Sequence, residues 1–100
     1  MKLIGLIGGL SWESSAAYYA LINREAQRRL GGVHSARTLM YSLDFGIVER
    51  HQARGDWDAA NAMVVEAARA LERGGAELLV ICSNTMSIAS EAVAAACRTP

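Results

Sequence analysis

At 100 residues the chain has the size of one small domain. Its 52% hydrophobic and 20% charged residues let it bury roughly 65% of its unfolded surface, which excludes a disordered segment. Ten Lys and Arg balance ten Asp and Glu, so the formal net charge is zero, and with no basic run nothing points to nucleic acid or an anionic membrane.

Lys2 to Ile7 is short, apolar and bounded by glycine, which predicts a buried, parallel, central strand. The same opening, Met1-Lys2-Leu3-Ile4-Gly5, is too short and too glycine-rich for the apolar region of a signal peptide. Gly8-Gly9 makes the turn, Ser11 is placed to cap a helix from about Trp12 to Leu30, and Glu13 suits its first turn. Tyr18, Leu21, Ile22 and Ala26 give that helix an apolar face, and Gly31-Gly32 ends it. The second strand is Thr38 to Leu43. Asp44 opens a short polar segment through about Arg54, and Gly55-Asp56 breaks it, with Asp56 as the next cap. In the helix that follows, Trp57, Ala60, Val64, Ala67, Ala68 and Leu71 recur every three or four residues, until Gly74-Gly75 closes it. Ala76 to Cys82 is the third strand, and a last helix is expected from about Thr85 to Ala96.

The order β-α-β-α-α-β-α predicts an α/β fold, a small parallel sheet flanked by helices with right-handed crossovers. Three parallel strands leave two exposed edges, so the domain is expected to continue beyond this chain. No apolar run approaches a membrane span, and a cytoplasmic protein is expected, with Cys82 and Cys97 as reduced thiols. Without a Cys-x-x-Cys spacing, and with His34 and His51 scattered, no metal site is expected. A neutral, apolar chain leaves a homo-oligomer open.

Two strand-to-helix turns carry the chemistry. Gly5-Leu6-Ile7-Gly8-Gly9-Leu10-Ser11 has the place of an anion-binding loop, but not the spacing of a dinucleotide fingerprint, and it lacks the lysine of a P-loop. The alternative is a tight turn that needs glycine freedom. Cys82-Ser83-Asn84-Thr85 is the second turn. Successive strand residues face opposite ways, so one of Cys82 and Ser83 faces a cleft and the other the core. Here the alternative is a small buried cysteine followed by a capped helix.

Several segments together resemble the aspartate/glutamate racemase family. They are Ile4 to Ser14, Tyr18-Tyr19, Ile22-Asn23, Leu30 to Ala36, Ser42-Leu43-Asp44-Phe45, Gln52 to Trp57, Gly75-Ala76-Glu77 and Cys82-Ser83-Asn84-Thr85-Met86. They span nearly the whole chain at the family's spacing. The resemblance implies that residues 1–100 are the N-terminal domain of a two-domain protein whose C-terminal domain lies outside this chain. It also implies racemisation of a small acidic amino acid, aspartate or glutamate, without pyridoxal phosphate, metal or any other cofactor. In such a reaction one residue removes the α-proton and another returns a proton to the opposite face.

By register the catalytic position is Ser83, with Cys82 as the alternative. Leu10, Ser11, Gln52, Ser83, Asn84 and Thr85 are the expected substrate contacts, and Arg50 is a candidate for the side-chain carboxylate. The family pattern has cysteine where Ser83 stands and often histidine where Ser87 stands. A serine hydroxyl is far less acidic than a thiol, so Ser83 is expected to be a poor base and a better proton donor. Two other functions stay open: a carboxylate-binding half-domain without catalysis, and a related decarboxylase or isomerase of a dicarboxylate.

Overall fold

A computed structural model of the protein describes residues 1–83 and Val93. Six elements follow in chain order: β1 (Ile4–Gly8), α1 (Trp12–Leu30), β2 (Thr38–Ser42), α2 (Phe45–Ala53), α3 (Trp57–Arg73) and β3 (Leu78–Ile81). The strands form a three-stranded parallel sheet in the order β2-β1-β3, flanked by helices. β1 is central, as its continuous apolar run predicts. It ends one residue later than expected, because Gly8 still pairs with Ser42. β3 begins two residues later than expected. Ala76 and Glu77 lead into it, and the Glu77 N–H already bonds the Leu3 carbonyl at 2.8 Å.

The crossovers from β1 to β2 and from β2 to β3 run in opposite directions across the sheet. Helices on right-handed crossovers then fall on opposite faces, and two glycines of β1 report this. A Cβ added at Gly5 would meet Leu71 of α3 at 3.3 Å, whereas one at Gly8 would meet Ser15 Oγ of α1 at 2.9 Å. Odd and even positions of a strand face opposite ways, so α3 covers one face and α1 the other.

The core lies between the sheet and α3. Ala60, Val64, Ala67, Ala68 and Leu71 are buried in one cluster with Ile7, Leu10, Val48 and Ala76. These α3 residues are five of the six expected from periodicity; Trp57, at the helix start, stays exposed. Most of the last expected helix lies outside the described residues, but Val93 is helical and buried in this same cluster.

The expected apolar face of α1 is much less covered. Tyr18, Ile22 and Ala26 are half-buried, Leu21 is 61% exposed, and the single buried residue of α1 is Ser15. Among the described residues no helix is long and apolar enough to cross a membrane.

Candidate functional site

All three strands end at one edge of the sheet, and hydrogen bonds hold these ends together. The Leu43 N–H donates to the Gly8 carbonyl at 2.8 Å, and the Cys82 N–H donates to the Ile7 carbonyl at 3.0 Å. From β1 the chain leaves toward α1 on one face. From β3 it reaches Val93 in the cluster on the other face. The exits of two neighbouring strands therefore part between β1 and β3. In open α/β sheets such a switch point, at the carboxyl ends of the strands, is where ligands bind.

The β1–α1 turn is built closely against the β2–α2 turn. Gly9 has φ +79, and a Cβ there would lie 2.0 Å from the Leu43 carbonyl oxygen and 2.3 Å from its nitrogen, so a side chain at this position would force the turns apart. Two residues on, Ser11 is the one non-glycine residue with positive φ among the described residues, at 77°. It occupies the N-cap position of α1, but its side chain makes no capping bond, contrary to the expectation that it caps the helix. The physical reason is its backbone: a capping side chain reaches back from an extended residue, and Ser11 is not extended. By contrast, Asp56 accepts from the Ala59 N–H at 3.1 Å, so α3 is capped as the sequence predicts, and Asp44 accepts from the Gly46 N–H at 2.9 Å, a cap of α2 that the sequence reading did not assign.

Between these turns lies a cleft of about 430 Å³ lined by Gly9, Ser11, Trp12, Glu13, Leu43, Asp44, Phe45 and Gly46. Among the described residues, Ser11 is the one expected substrate contact that lines it. Leu10 is 3% exposed and its side chain belongs to the core, so only its backbone is left for a ligand. Gln52 is half-buried and Arg50 exposed, both on α2. Sequence reasoning assigned no binding role to Trp12, Glu13, Asp44 or Phe45. Their signal was position alone: they follow directly on the two strand ends.

At the β3 exit the two candidate side chains separate. Cys82 is a free thiol, fully buried, and burial pushes its pKa up from the ordinary value because an apolar surround disfavours the thiolate. Ser83, one residue later, is half-buried. Asn84, Thr85, Ser87 and Cys97 lie outside the described residues. His34 is exposed and His51 half-buried, and among the described residues no group of three or more His, Cys, Asp or Glu is placed to hold a metal ion.

Comparison with known proteins places this edge in context. The model of the Asp/Glu/Hydantoin racemase family matches residues 7–100. The crystal structure of a candidate Asp/Glu racemase from Yersinia pestis is similar over 100% of this chain and 44% of its own, with 47% identity and a TM-score of 0.96. That of an aspartate racemase homologue from Pyrococcus horikoshii is similar over 100% of this chain and 43% of its own, with 33% identity and a TM-score of 0.83. The chain thus spans less than half the length of these solved relatives. With the fold, the spacing of its turns and the family match all in agreement, the chain belongs to the Asp/Glu/Hydantoin racemase family.

Proposed function

We propose that this chain is the N-terminal half of a cofactor-independent racemase acting on a small acidic amino acid, aspartate or glutamate. The observation that best supports this is the parting of the β1 and β3 exits at one sheet edge, with the Gly9–Ser11 turn on one side and Ser83 on the other. In this reading the substrate carboxylate sits against the backbone of the β1–α1 turn and the uncapped start of α1, where unpaired N–H groups and the helix dipole favour an anion. Ser11, Gln52, Asn84 and Thr85 add side-chain contacts, Leu10 contributes backbone, and Arg50 faces the second carboxylate.

Ser83 stands on one side of the α-carbon. A base from the rest of the protein takes the α-proton on the other side, and the Ser83 hydroxyl delivers a proton to the carbanion as it forms. An α-proton is weakly acidic, so the site must also stabilise the developing negative charge. The test is proton–deuterium exchange at Cα of L- and D-aspartate and glutamate, using the full-length gene product. Ser83→Ala is expected to abolish exchange from one enantiomer, and Ser83→Cys to raise two-sided exchange. Undiminished exchange in Ser83→Ala would remove Ser83 from the mechanism.

A second reading rests on the state of Cys82. It is the one described thiol, and burial keeps it protonated and away from the cleft. If the remainder of the protein supplies no base, the same turns form a carboxylate-binding site without catalysis. Calorimetry with aspartate and glutamate beside the exchange assay separates the two: binding without exchange supports the second.

A further inference from the structure

Among the described residues Ser15 is the one polar residue that is buried as a whole, 4% exposed. Its position, one turn into α1, gives a serine no evident reason to be buried. Both halves of its hydroxyl are used, and both are used on the β1–α1 turn. The Gly9 N–H donates to Ser15 Oγ at 2.9 Å, and Ser15 Oγ donates to the Ser11 carbonyl at 3.3 Å. The Ser15 N–H reaches that carbonyl as well, at 3.3 Å. Gly8 leaves the space for this, since a Cβ there would lie 2.9 Å from Ser15 Oγ.

These bonds bracket the strained residue. Ser11 holds φ at 77°, a conformation that persists only where its surroundings impose it. Ser15 fixes the amide two residues before Ser11 and the carbonyl of Ser11 itself. The Gly9 N–H and the Ser11 C=O are thereby both held by a buried hydroxyl. Ser11, whose side chain caps nothing, lines the cleft together with Trp12 and Glu13 of the first turn of α1.

We propose that Ser15 is a positioning residue for substrate binding: it locks the Gly9–Ser11 turn in the shape that presents the Ser11 hydroxyl and the start of α1 to the substrate carboxylate. This rests on the functional reading above. Ser15 touches no substrate; it acts through the turn. A buried serine with only a packing role would affect stability and leave affinity alone.

The experiment uses the full-length gene product with Ser15→Ala, Ser15→Cys and Ser15→Thr, measuring Cα exchange kinetics, aspartate and glutamate affinity by calorimetry, and Tm. In Ser15→Ala the Gly9 N–H loses its acceptor. KM and Kd are expected to rise about tenfold, the worth of one hydrogen bond left unmade, while kcat stays close to wild type because Ser83 lies beyond the end of another strand, β3. Ser15→Cys keeps the volume and weakens the bonds, so it is expected to raise KM in the same way and carries the test if Ser15→Ala does not fold. Ser15→Thr keeps the hydroxyl and is expected to restore the wild-type KM.

A folded Ser15→Ala or Ser15→Cys with lowered Tm but wild-type KM and Kd overturns the proposal. So does a folded Ser15→Thr that fails to restore affinity. A wild-type protein that neither exchanges nor binds either amino acid overturns the functional reading and this proposal with it, and is distinguished by the failure lying in the unmutated protein.

Discussion

Burial of Cys82 raises its pKa, because the thiolate loses its hydration and gains no partner charge in return. The shift favours the protonated thiol in the folded state. Its contribution is fully present below the ordinary thiol pKa and is lost as pH rises through the elevated folded value. Cys82 is therefore expected to be inert to a thiol reagent at neutral pH, since the thiolate is the reactive form. In the full-length gene product, peptide mapping after brief treatment with a thiol reagent is expected to find Cys82 unmodified in the native protein and modified after denaturation. Fast native labelling would mean that Cys82 reaches the cleft and that the catalytic register lies one residue earlier. Strand alternation already required one of Cys82 and Ser83 to be inside. Which one was not legible from the alternation, because a strand end bounded by small residues does not announce which side is the core.

The two long helices contrast in what their sequences revealed. In α3 the apolar spacing predicted five buried residues correctly, since the helix lies along the sheet and each turn meets it. In α1 the same kind of spacing marked Tyr18, Leu21, Ile22 and Ala26, yet the buried residue is Ser15. Periodicity reports an apolar stripe; whether the stripe is covered depends on tertiary packing that a single helix does not encode. The cap was legible at Asp56 and illegible at Ser11, where the turn imposes a positive φ. The outer side of α1 instead carries an ionic cluster, with Glu25 bonded to Arg28 at 2.5 Å and to Arg29 at 2.7 Å. The acid precedes both bases, the favourable order on a helix. Hydrogen bonds from Arg28 and then Arg29 lower the Glu25 pKa from 4.5 to about 2. The folded value is depressed, so the stabilisation is present above pH 4.5 and is lost as pH falls toward 2. The Glu25 side chain is 46% exposed and its partners more so, so the effect is small and screened by salt. The stability difference between wild type and Glu25→Gln, followed by thermal melts at low salt, is expected to shrink across that window and to shrink likewise in 1 M NaCl. A difference independent of pH would show that the pair contributes through packing alone.

In the whole molecule, the site edge rests on a central strand that is paired with β2 and β3 and packed against α3 through Gly5. Gly5 is a point where no side chain fits between β1 and α3. A Cβ there would lie 2.8 Å from Ala76 Cβ and from Leu79 Cδ2, and 3.3 Å from Leu71 Cβ. Leu79 can rotate its branch away, but the Cβ atoms of Ala76 and Leu71 move only with their backbones. Gly5→Ala must therefore push α3, or the chain entering β3, away from β1. Gly74 offers the control: its added Cβ would meet Leu39 Cδ2 at 2.7 Å, the far end of a flexible side chain, and backbone no closer than 3.4 Å. Overpacking of a fixed core contact costs about 1–3 kcal/mol, and each kcal/mol lowers Tm by roughly 4–8 °C for a domain of this size. Gly5→Ala is expected to lower Tm by that order and Gly74→Ala by much less. Because β3 pairs with β1 along Ile4↔Leu78 to Ile7↔Ile81, a displaced β3 also shifts Ser83 relative to the β1–α1 turn. Gly5→Ala is thus expected to reduce substrate exchange in the protein that remains folded, whereas Gly74→Ala leaves it intact. Equal Tm losses in the two variants would show that the sheet and α3 yield as easily as a leucine side chain, and that the geometry of this edge is held by something other than the Gly5 contact.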